Sequence, residues 1–202
     1  MTRSFHFLFK FVIPTLMSMA SLATPVLDRD AAPASISIRN SPADGPCADQ
    51  SLAQTVYQGF AGTFLAHVLN FHWAFVDYNS RQSAGPAFWT FQGPVFKAWP
   101  TQQTSTVPLF RMTTPTNSDF VFMVGTNAQT PPTKSGFATS TGDIVAWVYN
   151  TAVCGSVPLM SAVLAAQSDH YYTADPNEHT ALLTAGWADG GVVAYVLPLS
   201  TS

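Results

Sequence analysis

Val107-Pro108-Leu109 returns fifty positions later as Val157-Pro158-Leu159, and the surrounding residues return with it. Asp119-Phe120 falls on Asp169-His170, Gly136-Phe137 on Gly186-Trp187, and Val145-Ala146-Trp147 on Val193-Ala194-Tyr195 after a small slip. A fixed period of this size marks copies of one supersecondary unit, each too small to bury its apolar face alone. A repeat constrains architecture more tightly than activity, and no catalytic motif accompanies this one.

The last copy, about 157–198, is the clearest. Residues 157–163, 169–173 and 192–197 read as strands, with a short helix between the second and third. Asp175 is placed to cap that helix, Pro176 suits its first position, Glu178 would complete a capping box and Gly186 would stop it. Leu182, Leu183 and Ala185 would then face the core. The middle copy, about 107–150, keeps the strands, but Pro131-Pro132 turns its helix slot into a loop. In the first copy, about 60–101, Asn70-Phe71-His72-Trp73 would occupy the Asp-His slot and residues 95–99 the closing strand. Several short strands per copy with glycine turns predict a closed all-β body with a minor helix and pseudo-threefold repeats. A β-trefoil-like architecture fits best, and a small propeller-like assembly is the alternative.

The start of the chain reads as a processing segment. Arg3 and Lys10 precede and enter a short apolar run that ends in Ser21-Leu22-Ala23, the pattern of a secretory signal peptide over residues 1–23. Residues 24–45, rich in Ala, Pro, Ser and Asp, read as a pro-segment or flexible arm, leaving 46–201 as a single three-repeat domain. The expected location is therefore extracellular, with no membrane attachment after cleavage. In that oxidising setting Cys47 and Cys154 are expected to form one disulfide. Charged residues make up only 9% of the chain and the formal net charge is −3. No basic patch stands out, so nucleic acid is not an expected partner.

The segments Cys154-Gly-Ser-Val-Pro-Leu, Ser168-Asp-His-Tyr-Tyr-Thr, Gly186-Trp187 and Gly191-Val-Val-Ala-Tyr-Val-Leu resemble a secreted domain-of-unknown-function family abundant in mushroom-forming fungi and also present in bacteria. Its repeat reads approximately PLYRLYNP, DHFYTT, a short helix, then GY and EGxAGYVFP, and the resemblance spans about residues 46–198. Asp-His-aromatic-Tyr-Thr survives only in the last copy, the opening-strand arginine only as Arg111, and the Glu-Gly pair has become Gln92-Gly93, Thr141-Gly142 and Gly190-Gly191. The resemblance implies a scaffold whose relatives are appended to cell-wall-degrading enzymes.

Candidate site residues follow from the densest polar cluster, Asp169, His170, Tyr171, Tyr172, Asp175, Glu178 and His179. A carboxylate beside aromatic faces suits a sugar, which makes Asp169, His170 and Tyr172, the equivalent Asp119, and His72 with Trp73 the candidate ligand-binding residues. Against this stands an ordinary role for Asp169 and His170 in satisfying groups at a turn, the commoner fate of buried polar side chains. Among the aromatics, Phe88 and Trp187 are expected in the core, whereas Trp73 and Trp89 are candidates for an exposed platform. His67 and His72 are spaced like a zinc finger's pair but lack accompanying cysteines, and no Gly-x-Ser-x-Gly elbow occurs. No metal or cofactor is expected. The expected function is a secreted, non-enzymatic module for a carbohydrate or cell-wall polymer. One alternative is a protein-interaction domain such as a protease inhibitor using the loop 127–134. The other is a hydrolase centred on Asp169, His170 and Glu178.

Overall fold

In a computed structural model of the chain, which describes residues 46–81 and 88–199, three central strands organise the rest. Strand β1 (Gln54–Ala61) lies between β2 (Ala66–Phe71) and β3 (Thr90–Ala98). The same antiparallel arrangement recurs with β4 (Val107–Thr113) between β5 (Phe120–Val124) and β6 (Ile144–Val148), and with β7 (Val157–Leu164) between β8 (Asp169–Thr173) and β9 (Ala188–Val196). Helix α1 (His72–Arg81) follows β2, and α2 (Pro176–Thr184) follows β8. The expected leader and arm lie outside the described residues.

Among the described residues no closed barrel forms, so the expected closed β body is not what the three sheets make. Each sheet stops at three strands. They meet instead through isolated bridges at the ends of the closing strands: Lys97 with Leu197, Trp147 with Trp99, and Tyr195 with Tyr149. Each bridge exchanges both backbone hydrogen bonds, at 2.8–3.2 Å. The second residue of every bridge belongs to a different copy from the first, so the three bridges run from copy to copy in a ring.

Strand register fixes the equivalences between copies. Leu164 faces Asp169 as Ala61 faces Ala66, while Val163 faces His170, Phe60 faces His67 and Thr113 faces Phe120. The Asp-His slot of the first copy is therefore Ala66-His67, and not the stretch 70–73 expected from the repeat. The first copy also begins at Gln54, six residues before the expected start. Two features hid this register. All six residues of β2 are buried, so the strand shows no alternation. Immediately after it, Ala74, Phe75 and Tyr78 take up helical spacing, and His72-Trp73 opens α1 instead of ending a strand. Gly59 admits that helix, because a Cβ there would run into the Phe75 ring.

Helix α2 forms where its signals place it. Asp175 caps it by accepting from the Asn177 N–H at 2.8 Å, and Pro176 is its first residue. Leu182 and Leu183 are half-buried and Ala185 is exposed, so the helix docks less through these residues than through the buried His179, whose Nε2 lies 3.1 Å from the Ser161 carbonyl oxygen. The slot at 127–134 forms no helix, as Pro131-Pro132 requires.

A main core gathers the inward faces of all three sheets. At its centre Leu69, Phe122 and Tyr172, one from each copy in the same register slot, are fully buried. A second core is made by the bridge residues Trp99, Trp147, Tyr149 and Leu197 together with Ala48. The chain before β1 is fastened onto it. Trp99 Nε1 donates to the Asp49 carbonyl at 2.7 Å, the Ala48 N–H donates to the Tyr149 hydroxyl at 3.0 Å, and Cys47 is joined to Cys154 as expected. That disulfide closes a separation of 107 residues. Replacing both cysteines by serine is expected to cost roughly 2–5 kcal/mol. Urea denaturation should show it as a lower midpoint, with the wild type moving to the same midpoint when reduced.

Candidate functional site

The polar residues singled out by the repeat are spent at the junctions between copies. Asp169, 2% exposed, accepts from the His67 backbone N–H at 3.1 Å and lies 2.8 and 2.9 Å from His67 Nδ1 through its two oxygens. One junction further on, His170 Nδ1 lies 2.9 Å from Oδ1 of the buried Asp119. A carboxylate only accepts, so Nδ1 of both rings carries the proton. Each histidine is thus clasped by the aspartate of a neighbouring copy. An aromatic edge covers each ring: Trp187 and Tyr171 stand against His67, and Phe137 against His170. At the third junction both polar residues have gone. Phe120 fills the histidine slot and packs on Trp89, and Ala66 stands in the aspartate slot.

This accounts for the aromatic set. Trp73 is exposed, as expected, but Trp89 is 9% exposed and Phe88 64%, the reverse of the expectation. Trp89 is drawn in by Phe120 and by Asn79, which hydrogen-bonds both its backbone N–H and its carbonyl. Its neighbour Phe88 stays on the surface. Tyr172 is also committed internally: its hydroxyl accepts from the Phe122 N–H at 3.1 Å and donates to the Phe120 carbonyl. His72 is exposed at the start of α1, where its ring stacks on Phe91 with centroids 5.3 Å apart.

Beside each clasp lies a cleft. The first, about 300 Å³, opens between β1–β3 and β8, and is lined by Gln58, Gln92, Tyr171, Thr173, Asp175 and Glu178 among others. Gln58 donates from Nε2 to Gln92 Oε1 at 3.2 Å and accepts from the Tyr172 N–H. The Tyr171 hydroxyl donates to Glu178 Oε1 at 2.8 Å. Glu178 therefore closes no capping box; the Asp175 N–H goes to Thr173 Oγ1 instead. Burial, followed by the hydrogen bond to Glu178 and its charge, pushes the Tyr171 phenol up to about 12. The second cleft, about 320 Å³, opens between β5 and β7–β9, with His170 and Lys134 in its lining. At the third junction the equivalent slots hold Asn70 and Arg111, and both donate to the Tyr78 hydroxyl of α1, at 3.1 and 3.0 Å. Arg111 also pairs with Asp143 at 3.0 Å. Burial works against the Asp143 carboxylate, but hydrogen bonds from Ser140 and Arg111 outweigh it and hold its pKa below the usual value.

Residues 66–197 match the family described as a domain of unknown function, DUF5648. The chain belongs to that family. Neither the curated proteins nor the solved structures hold a significant match. The matched span runs from β2 to the last bridge residue, so it includes two of the central strands, both helices and the whole lining of the second cleft, while Gln58 and Leu199 of the first cleft lie outside it. Among the described residues no group of three or more His, Cys, Asp or Glu side chains gathers as a metal ion requires, and no helix is long and apolar enough to cross a membrane.

Sequence reasoning named Tyr171, Asp175 and Glu178 in its polar cluster but missed Gln58, which aligns with no repeat motif. It noted Gln92 only as a departure from the family's Glu-Gly pair. His67 stands out in the sequence only as half of a finger-like histidine pair, because the repeat motif in the first copy points to 70–73 and not to Ala66-His67.

Two outcomes follow. Asp169→Ala strands the proton of a buried histidine, which should cost about 1–3 kcal/mol in a denaturant titration. A smaller loss is expected from Asp119→Ala, because Asp119 holds the half-buried His170 through a single side-chain hydrogen bond. Tyr171 should release its proton near pH 12 instead of near 10.0, read as phenolate absorbance during alkaline titration. Because folding raises this pKa, its contribution to stability is complete below about pH 10 and disappears as pH rises through about 12.

Proposed function

We propose that the chain is a secreted, non-enzymatic carbohydrate-binding module, and that the cleft between β1–β3 and β8 is its sugar site. The composition of that cleft carries the reading. Two uncharged amides, Gln58 and Gln92, stand with the Thr173 hydroxyl and the acceptor oxygens of Asp175 and Glu178 around one wall of Tyr171. Amides both donate to and accept from sugar hydroxyls, carboxylates accept from them, and an aromatic side chain offers a face for the C–H side of a pyranose. The volume is at the small end of ligand pockets, enough for one or two sugar rings. The exposed Trp73 gives a polymer a second place to stack. The disulfide agrees with an extracellular location.

We read the three sheets as a trefoil-like, three-part arrangement held by its ring of bridges. Their shared strand order and matching register support this reading. A binding role is favoured over hydrolysis by the positions of the proposed triad. Asp169 is paired with His67, His170 with Asp119, and Glu178 lines the cleft that His170 does not.

A glycan array with the disulfide-intact domain tests the proposal. Binding to a defined sugar or cell-wall fragment should fall at least tenfold in Gln92→Leu and in Glu178→Gln. A smaller loss is expected for Trp73→Ala on polymers only. A blank array overturns the sugar reading, and so does binding that both cleft substitutions leave unchanged. A secreted-protease panel run alongside decides for the inhibitor alternative if inhibition appears and depends on residues 127–134.

A further inference from the structure

The two clefts occupy the same place in successive copies, but their chemistry is inverted. Register sets the correspondence. Gln58 faces Gly93 as Ser161 faces Gly191, and Tyr57 faces Pro94 as Met160 faces Val192. Passing from the first cleft to the second, Gln58 therefore becomes Ser161, Gln92 becomes Gly190 and Pro94 becomes Val192. On the opposite wall Tyr171 becomes Val121 and Thr173 becomes Met123. Of these positions only Ser161 keeps a side chain that could address a sugar hydroxyl; the others carry glycine, valine or methionine.

The charge changes sign as well. The helix slot of the last copy sends Asp175 and Glu178 to the first cleft, whereas the helix slot of the middle copy, remade as a loop by Pro131-Pro132, sends Lys134 to the second. Lys134 lies 5.8 Å from the centroid of the Phe137 ring, and no carboxylate among the described residues pairs with it. Arg81 and Arg111, by contrast, are matched to Asp77 and Asp143. His170 adds a second nitrogenous edge, since Asp119 engages only its Nδ1. At the mouth Val192 is 53% exposed, a large apolar side chain left facing water.

We infer that this second cleft is a separate ligand site for a small amphipathic carboxylate, its apolar body against Val121, Met123 and Val192 and its anionic end at Lys134. Apolar walls supply affinity by removing hydrocarbon from water, and a single cation at the rim selects the end group and fixes orientation. The site stands apart from the sugar cleft, so either can fail without the other.

The full disulfide-linked domain is titrated by calorimetry with sub-micellar decanoate, decanol and decyltrimethylammonium. Decanoate should bind best. Lys134→Met should weaken decanoate by about tenfold, equivalent to about 1.4 kcal/mol, and leave decanol unchanged. Lys134→Glu should reverse the preference between decanoate and decyltrimethylammonium. Val192→Gln should weaken every decyl compound, while Gln92→Leu, in the other cleft, should weaken none. Lys134 and Val192 are exposed, so these variants should keep the wild-type circular dichroism and melting temperature. No decanoate binding, or binding that neither Lys134 substitution alters, overturns the proposal. A preference for decanol over decanoate overturns it too.

Discussion

A three-stranded sheet has one apolar face and two open edges, and that face must be buried against another element. Everything in this domain depends on how three such sheets share one interior. The joining device is backbone pairing: Lys97–Leu197, Trp147–Trp99 and Tyr195–Tyr149 each exchange two hydrogen bonds across copies. Because these are main-chain contacts, they tolerate different side chains in the same slot. Lysine, tryptophan and tyrosine occupy one side of the ring, and leucine, tryptophan and tyrosine the other. The bridges hold the closing strands at a fixed spacing, which brings Leu69, Phe122 and Tyr172 together in the main core and places Trp99 and Tyr149 in the second.

Side chains at the junctions have been freer to diverge, and they have done so in matched sets. Where a histidine sits in the slot, the neighbouring copy supplies a buried aspartate, as in His67–Asp169 and His170–Asp119. Where phenylalanine replaces it, the partner position is alanine and Trp89 fills the space. Half of such a pair would leave a buried polar group unsatisfied, so histidine and aspartate are kept or lost together. Outside the clasps the same slots shape the clefts. Gln58 with Gln92 gives one cleft an amide wall, Ser161 with Gly190 leaves the next open, and Arg111, in the slot of Gln58 and Ser161, reaches the Tyr78 hydroxyl at the third. A Cβ on Gly190 would approach Ser161 Oγ to 2.6 Å, so these two positions also depend on each other.

Most of the scaffold was legible in the chain. The Val-Pro-Leu repeat marked β4 and β7, Asp175-Pro176 marked the start of α2, Pro131-Pro132 marked the loop that replaces a helix, and the two cysteines marked the disulfide. Legibility ended where a local pattern carried two meanings. Asn70-Phe71-His72-Trp73 imitates a repeat motif, yet α1 begins inside it, because Phe75 finds room over Gly59, a contact with no local signature. Phe88 and Trp89 look interchangeable in sequence, and Asn79 and Phe120 decide which of them is buried. The site residues divide similarly. Asp169, His170, Asp119 and Tyr172 stood out because they repeat, and they repeat because the fold uses them between copies. Gln58 and Gln92 line a cleft, but Gln58 matches no repeat motif and Gln92 shows only as a departure from one.

The sequence by itself determined the unit, its threefold recurrence, the helix in the last copy, the covalent tie at the start of the domain and the membership in a family. Each rests on periodicity, capping or residue type, which act within a few neighbouring residues or between a single pair. Only the tertiary structure decided which copy each polar group serves. An aspartate and the histidine it clasps lie in different repeats, and no pattern along the chain joins them. Side-chain hydrogen bonds and clefts form between surfaces that meet only after the sheets assemble, so the polarity of each cleft is a property of the folded junction, set by residues about one or two repeats apart.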